Sequence, residues 1–98
     1  MGPEAKLQKK IMAYLKAIPN AVFFKVSQGK YSSHGVSDII GCIDGQFYAF
    51  EVKAEDGKLT PLQKIFLGKV FDAGGIIACA RSLDEVKAII EGLTPTSD

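Results

Sequence analysis

The sequence predicts an α/β protein, a three-layer α/β/α sandwich with a mixed β-sheet and the element order α-β-β-β-α-β-α. Three observations lead to this prediction. Asp44-Gly45 is typical of a two-residue hairpin turn, and it lies between apolar runs at 39–43 and 47–52, within predicted strands at 37–43 and 46–53. Both faces of that hairpin are apolar, so both need a covering layer. Segments with helical periodicity lie on either side of the hairpin in the chain and can supply the two covers.

The first segments of the chain predict a helix followed by a strand. Residues 4–18 place apolar side chains on one stripe with lysines opposite, which is typical of an amphipathic helix, and Pro19-Asn20 ends it. Residues 21–28 are rich in Val and Phe and predict a strand, and 29–35 form a polar loop with two glycines. The hairpin strands follow this loop.

A second helix is predicted to begin at Thr60-Pro61, after a loop at 54–59. Thr60 is a good N-cap, Pro61 suits the first helical position, and Gln63 completes a capping-box pattern. The apolar periodicity continues to Asp72, so the helix is expected to close shortly afterwards, near two glycines.

The last elements are a short buried strand and a third helix. Residues 76–80 are apolar and bounded by turn signals, as expected of a strand. Ser82 and Glu85 form a second capping-box pattern, which opens a helix that runs to about Ile90. With three helices in all, one face of the sheet could stay partly open, which would favour a dimer interface.

Length and composition indicate one globular domain over residues 1–93, with a frayed tail at 94–98. The 98 residues are 47% hydrophobic and 23% charged, and the net charge of +1 does not by itself indicate nucleic-acid binding. Cys42 and Cys79 lie in apolar runs without metal-ligand spacing, so we interpret them as core residues. Neither a signal-peptide core nor a membrane span is recognisable, and a cytoplasmic protein of a bacterium or phage-infected host cell is expected.

The hairpin turn brings two carboxylates together. A two-residue loop pairs Ile43 with Gln46, and the same register places Asp38 directly opposite Glu51. Opposed strand residues lie about 4.5–5.5 Å apart at Cβ, where like charges are destabilising, so the pair predicts a cation between them. Lys53 lies two residues after Glu51 and points to the same face. A three-residue loop would shift this register by one position.

These residue types predict metal-dependent hydrolysis of a phosphodiester. Asp38 and Glu51 offer the oxygen ligands that Mg²⁺ prefers, and the Val52 carbonyl could add a third. Lys53 is placed to orient a water molecule or to stabilise developing negative charge. Two further residues are candidates for the same site. Glu4, on the inward stripe of the first helix, could reach it directly or through water, and Gln63 could hold a water molecule or Lys53.

The motifs resemble those of a known nuclease family. The matching segments are Gly35-Val36-Ser37-Asp38, Glu51-Val52-Lys53 and Thr60-Pro61-Leu62-Gln63. Together with the element order over residues 4–80, they resemble the PD-(D/E)XK nucleases, and more narrowly the virus-type replication-repair nuclease (VRR-NUC) domain in its stand-alone form. One departure is Ser37, where the family often has proline before the aspartate.

The resemblance implies a restriction-endonuclease-like fold and a Mg²⁺- or Mn²⁺-dependent endodeoxyribonuclease. It implies that Asp38 and Glu51 bind metal, that Lys53 is catalytic, and that Glu4 and Gln63 assist. Stand-alone members resemble Holliday-junction resolvases in being dimeric and acting on branched DNA, whereas larger relatives cut flaps. DNA repair or recombination, a DNA partner and a homodimer are therefore expected. Candidate DNA contacts lie in the loop before the aspartate, at Lys30, Tyr31, Ser33, His34 and Gly35.

Other interpretations stay open at this stage. The same fold could serve as a non-cleaving nucleic-acid-binding module, or could hydrolyse another phosphodiester or depend on a partner chain. The capping box alone explains Gln63, and a favourable helix-dipole position explains Glu4. His34, like Lys30 and Tyr31, could be an ordinary solvated loop residue, and the surface lysines could serve solubility alone.

Overall fold

The computed structural model describes residues 1–26 and 35–92. Its elements follow the predicted order, with the following bounds: α1 (Pro3–Lys16), β1 (Ala21–Lys25), β2 (Ile39–Ile43), β3 (Gln46–Val52), α2 (Pro61–Asp72), β4 (Ile76–Ala80) and α3 (Leu83–Ile90). The predicted order α-β-β-β-α-β-α is therefore confirmed. The predicted polar loop lies outside the described residues except for Gly35, and so does the predicted tail.

The four strands form one mixed sheet in the order β1-β2-β3-β4. Strands β1, β2 and β3 are antiparallel neighbours, whereas β3 and β4 run parallel. A parallel pair needs a crossover connection, and α2 provides it between β3 and β4. The ends of β3 and β4 consequently meet at one edge of the sheet, where Val52 pairs with Ala80.

The hairpin has the two-residue turn and the register that the sequence predicts. Asp44 and Gly45 both have positive φ angles, 48° and 87°, as a type I′ turn requires. Ile43 pairs with Gln46, and the ladder continues to Ile39 opposite Phe50. Since the side-chain period of a strand is two, this register fixes which residues of β3 share a face.

One face of the sheet carries the main core. Tyr48, Phe50 and Val52 of β3 pack there against Ile11 of α1 and Val86 of α3. Seven apolar residues of this core are completely buried: Ile11, Leu15, Ile39, Phe50, Val52, Ala80 and Val86. Burying one large side chain of this kind contributes roughly 1.5–3 kcal/mol, so this core makes a substantial contribution to the stability of the domain.

Helix α2 covers the opposite face, and this completes the three layers. Glu51 and Phe47 alternate with the core residues of β3, and both meet α2, through Gln63 and through Val70 beside Gly75. The cover is incomplete over β1, where Val22 and Phe24 are 59% and 60% exposed. An open sheet face is thus present, as the small number of helices predicts.

The end of one helix and the cap of another differ from the sequence prediction. Helix α1 ends at Lys16 and not at residue 18, because the N–H groups of Ala17 and Ile18 bond to carbonyls three residues back, which tightens the last turn. At the start of α3, the Ser82 hydroxyl accepts from the Glu85 N–H, and the reciprocal half of the predicted capping box is not formed.

Candidate active site

Asp38 and Glu51 meet at the open end of the hairpin. One position beyond the Ile39–Phe50 pair, the same register sets Asp38 opposite Glu51. The side chains are 8% and 2% exposed, so two carboxyl groups are buried side by side. Asp38 Oδ2 accepts a hydrogen bond of 2.9 Å from the Val52 N–H, which fixes this carboxylate against the end of β3.

The electrostatic environment of Glu51 disfavours its charged form. Burial, a hydrogen bond with the Asp38 carboxyl group and the negative charge of Asp38 together raise the pKa of Glu51 from 4.5 to about 8, although Lys53 acts in the opposite direction. Glu51 Oε1 is buried and has no hydrogen-bond donor among the described residues. This oxygen therefore needs a proton or a cation as its partner.

Lys53 points to the same site. Its Nζ lies 3.8 Å from Glu51 Oε2, and the side chain is only 14% exposed. A β-carbon added at Gly57 would lie 3.3 Å from Lys53 Cβ and Cδ, so the following loop packs along the aliphatic part of the lysine. Lys53 N–H also donates to the Ala80 carbonyl at 3.0 Å, which ties its backbone to β4.

Gln63 is both a helix cap and a member of the site. Its Oε1 accepts from the Thr60 N–H at 2.9 Å and Thr60 Oγ1 accepts from the Gln63 N–H, so the predicted capping box is complete. The remaining amide group, Nε2, donates to Glu51 Oε2 at 3.1 Å. The two interpretations of the sequence are therefore compatible, because one side chain satisfies both.

Glu4 reaches the neighbourhood of the site from α1. Its Oε1 accepts a 3.3 Å hydrogen bond from the Ala54 N–H, directly after Lys53 in the chain. It does not join Asp38 and Glu51 as a third adjacent carboxylate: within residues 1–26 and 35–92, no three acidic, His or Cys side chains cluster closely enough to hold a metal ion. The structure thus fits the indirect role more closely than direct ligation.

Arg81 is a supporting residue that the sequence analysis missed. Its Nη1 donates to the carbonyls of Ala54 at 2.9 Å and Gly57 at 2.7 Å, so one guanidinium group holds the loop that packs on Lys53. Its position directly after β4 could have indicated this role. Since β3 and β4 are parallel and end together, the residue after β4 must lie beside the residues after β3.

Gly35 has a structural reason to be glycine. Its φ angle is 89°, and an added β-carbon would lie 2.6 Å from the Leu62 carbonyl oxygen of α2. This close approach brings the segment before Asp38 against the helix that carries Gln63. The other predicted DNA contacts, Lys30, Tyr31, Ser33 and His34, lie outside the described residues.

The residues present fit a hard divalent cation. Asp38 and Glu51 offer only oxygen acceptors, one of which is buried without a donor, and Mg²⁺ or Mn²⁺ is commonly held by one or two carboxylates with waters completing the shell. Gln63 and Lys53 both approach Oε2 of Glu51, which leaves Oε1 as the oxygen that a cation would contact.

The mixed sheet between helical layers thus carries a buried acidic pair with a lysine beside it, at the open end of its central hairpin. Comparison with solved structures identifies the fold more narrowly. A solved structure described as a VRR_NUC domain matches with a TM-score of 0.73 at 24% identity, and the match covers 93% of this chain and 97% of the other. This chain has the fold of a VRR_NUC domain, as the resemblance in its motifs predicted.

The sequence comparisons add no further relative. No protein-family profile matches the chain, and no curated protein matches it. None of the helices in the described ranges is both long enough and apolar enough to cross a membrane.

Proposed function

We propose that this protein is a Mg²⁺- or Mn²⁺-dependent endodeoxyribonuclease that hydrolyses phosphodiester bonds in branched DNA, such as Holliday junctions or flaps. The observation that carries the proposal is the buried Asp38–Glu51 pair with one unsatisfied oxygen and Lys53 beside it. A structural protein gains nothing from burying two adjacent carboxylates, because the pair destabilises the fold when both are ionised and no cation is bound.

Each residue of the site has a role in this proposal. Asp38, Glu51 and the Val52 carbonyl would hold the cation, and Glu4 would contribute through water. Such a cation, when bound, lowers the pKa of a water molecule and stabilises charge on the phosphate. Gln63 holds Glu51 Oε2 by its 3.1 Å hydrogen bond, which would leave Oε1 available to the cation.

Lys53 supplies the positive charge that the reaction needs next to the phosphate. Its ammonium group donates to a phosphate oxygen or orients the attacking water, and the loop at Gly57 holds its stem in place. Substrate contacts come from the loop before Asp38, with Lys30, Tyr31, Ser33, His34 and Gly35 as the proposed DNA-binding residues.

The proposal includes a homodimer in the cytoplasm of a bacterium or phage-infected host cell, acting in DNA repair or recombination. Two copies would present two sites to a two-fold symmetric junction and double the basic surface of a protomer with a net charge of +1. The exposed Val22 and Phe24 on the open sheet face support self-association.

The activity is tested with labelled linear duplex, flap and four-way junction DNA, each with Mn²⁺ or with EDTA. We expect metal-dependent cutting, strongest on a branched substrate. Lys53→Ala should lower the rate about 100-fold or more, the usual cost of removing one charge-stabilising donor. Lys58→Ala is the matched control, because Lys58 is an exposed lysine of the same loop region outside the site.

The outcomes separate the alternatives. DNA binding without cutting of any substrate would identify a non-cleaving nucleic-acid-binding module. Equal rates for Lys53→Ala and the native protein would remove Lys53 from the catalytic site. Cutting of linear duplex at the rate of branched DNA would contradict structure selectivity while leaving the nuclease in place.

A further inference from the structure

A second surface of the molecule lies between α1 and the edge strand β1. A groove of about 570 Å³ runs along this side, and the residues that line it include Ala5, Gln8, Lys9, Met12, Lys16 and Lys25. Its volume falls in the range of about 300–1,000 Å³ that is typical of ligand sites. The candidate active site uses none of these six side chains.

One wall of the groove is an unpaired strand edge. Strand β1 is the first of the sheet and pairs only with β2 among the described strands. The Val26 N–H donates to Asp38, and the Asn20 carbonyl accepts from Asp44, so the even-numbered positions bond to β2. Because bonding direction alternates along an antiparallel strand, the backbone groups of Phe23 and Lys25 face outward into the groove.

The other wall of the groove is one side of α1. Ala5, Lys9, Met12 and Lys16 recur at helical spacing, so they form one stripe beside the strand edge. Between Ala5 and Lys16 the helix advances about 16 Å, the length of roughly five residues of extended chain. Ala13 on this flank carries only a methyl group, which permits a close approach.

The charge of the groove selects an anionic guest. Lys9, Lys16 and Lys25 lie on its rim, all exposed, and no carboxylate occurs among the described residues that line it. Met12 and the ring of Phe23 make the floor apolar. The Gln8 side chain adds an amide with both a donor and an acceptor.

We infer that this groove binds an extended acidic peptide segment of a partner protein, which adds as a strand to β1. Unpaired backbone groups of the edge provide hydrogen bonds, the apolar floor takes one or two aliphatic side chains, and the three lysines pair with Asp or Glu of the guest. An apolar floor and an outward row of N–H and C=O groups suit a polypeptide more closely than a nucleic-acid strand. The inference does not depend on the proposed nuclease activity.

The test uses fluorescein-labelled eight-residue peptides and fluorescence anisotropy with the full chain. An alternating Asp-Leu peptide should bind, whereas the Lys-Leu peptide of the same length should bind at least ten-fold more weakly. Two further peptides carry N-methyl groups, one on every odd-numbered and the other on every even-numbered backbone nitrogen. One of these two peptides should lose binding, and the other should keep it. That asymmetry is specific to strand addition, because only one edge of the added strand faces β1.

Protein variants locate the site. Lys9→Gln/Lys25→Gln should weaken binding of the Asp-Leu peptide at least five-fold. Lys6→Gln/Lys10→Gln removes the same charge from exposed lysines that do not line the groove, and it should change the affinity less than two-fold. All four positions are exposed, so circular dichroism should show native helix content in both variants.

Several results would overturn the inference. The Asp-Leu peptide could fail to bind at millimolar concentration. The two lysine double variants could lose affinity for the peptide equally, or the two N-methylated peptides could bind equally. A single-stranded oligonucleotide of matched charge serves as the competing class of guest. Binding of the oligonucleotide ten-fold tighter than the peptide, with dependence on Lys9 and Lys25, would assign the groove to nucleic acid instead.

Discussion

Glu51 is a carboxyl group that the fold buries with too few donors. Gln63 and Lys53 approach its Oε2, whereas its Oε1 is buried without a hydrogen-bond donor among the described residues. When it is protonated and therefore neutral, the Glu51 side chain is tolerated in this buried position. When it is ionised, the Glu51 side chain requires a cation to compensate its buried charge. The residue therefore links protonation, metal binding and stability in one position.

This linkage predicts how stability depends on pH without metal. With the pKa of Glu51 raised from 4.5 to about 8, the folded chain keeps a proton in this interval that the unfolded chain has released. The stabilising effect is complete below pH 4.5 and is lost as the pH rises towards 8, by up to about 1.4 kcal/mol per pH unit. In EDTA, urea unfolding at pH 5, 6.5 and 8 should show this decline, and Glu51→Gln should remove it.

The control for this measurement is Glu55→Gln, which neutralises an exposed glutamate of the adjacent loop and should keep the native slope. Identical slopes for Glu51→Gln and the native protein would show that Glu51 is not the titrating group. Adding Mn²⁺ at pH 8 should stabilise the native protein and leave Glu51→Gln nearly unchanged, since a cation then takes the place of the proton.

At the scale of elements, the Asp44-Gly45 turn determines the geometry of the site. Its two residues set the register that brings Asp38 opposite Glu51, and a slip by one residue would turn Glu51 to the other face of the sheet. Gly45 has a φ angle of 87° with open space around it, so only backbone conformation restricts the position. A substitution at Gly45 therefore measures the energetic cost of the backbone conformation without a steric clash.

Gly45→Ala should destabilise the protein by about 1–2 kcal/mol, the cost of a side chain in the left-handed region. Gly68→Ala is the matched change, because Gly68 lies in α2, also with open space around its added β-carbon. That variant should be more stable by roughly 0.5–1 kcal/mol, since alanine is the better helix former. Equal effects in thermal unfolding would contradict the assigned turn conformation.

Local rules also explain how far the sequence could predict the structure. The turn, the register and the start of α2 depend on neighbouring residues, and all three were predicted. The contact of Glu4 with Ala54 joins positions 50 residues apart, and that of Arg81 with Ala54 joins positions 27 apart. Such contacts depend on how whole elements pack, which periodicity and capping patterns do not encode. The acidic pair could be predicted from the sequence because both of its residues belong to one hairpin. The residues that support it lie in three other segments of the chain.

At the scale of the whole molecule, the two faces of the sheet are unequally covered. Among the helices in the described part of the chain, α1 and α3 bury the face of Phe50, whereas only α2 lies on the face of Glu51. Val22, Phe24 and Phe47 remain exposed there by 59%, 60% and 39%. Adjacent exposed apolar side chains on a flat strand surface favour association with a second surface of the same kind. The proposed homodimer would bury this open face.

The dimer is tested by light scattering after size exclusion and by sedimentation. Val22→Thr/Phe24→Thr places β-branched, strand-compatible side chains at both positions but removes most of the apolar surface, so it should shift the protein to a monomer at micromolar concentration. Leu62→Gln/Ile65→Gln, a change of similar size on the exposed apolar surface of α2, should leave the dimer intact. Dissociation by the helix variant alone would move the interface to α2, and a monomeric native protein would rule out the dimer. If junction cutting then persisted in the monomer, two-site action on a symmetric junction could not be the basis of substrate choice.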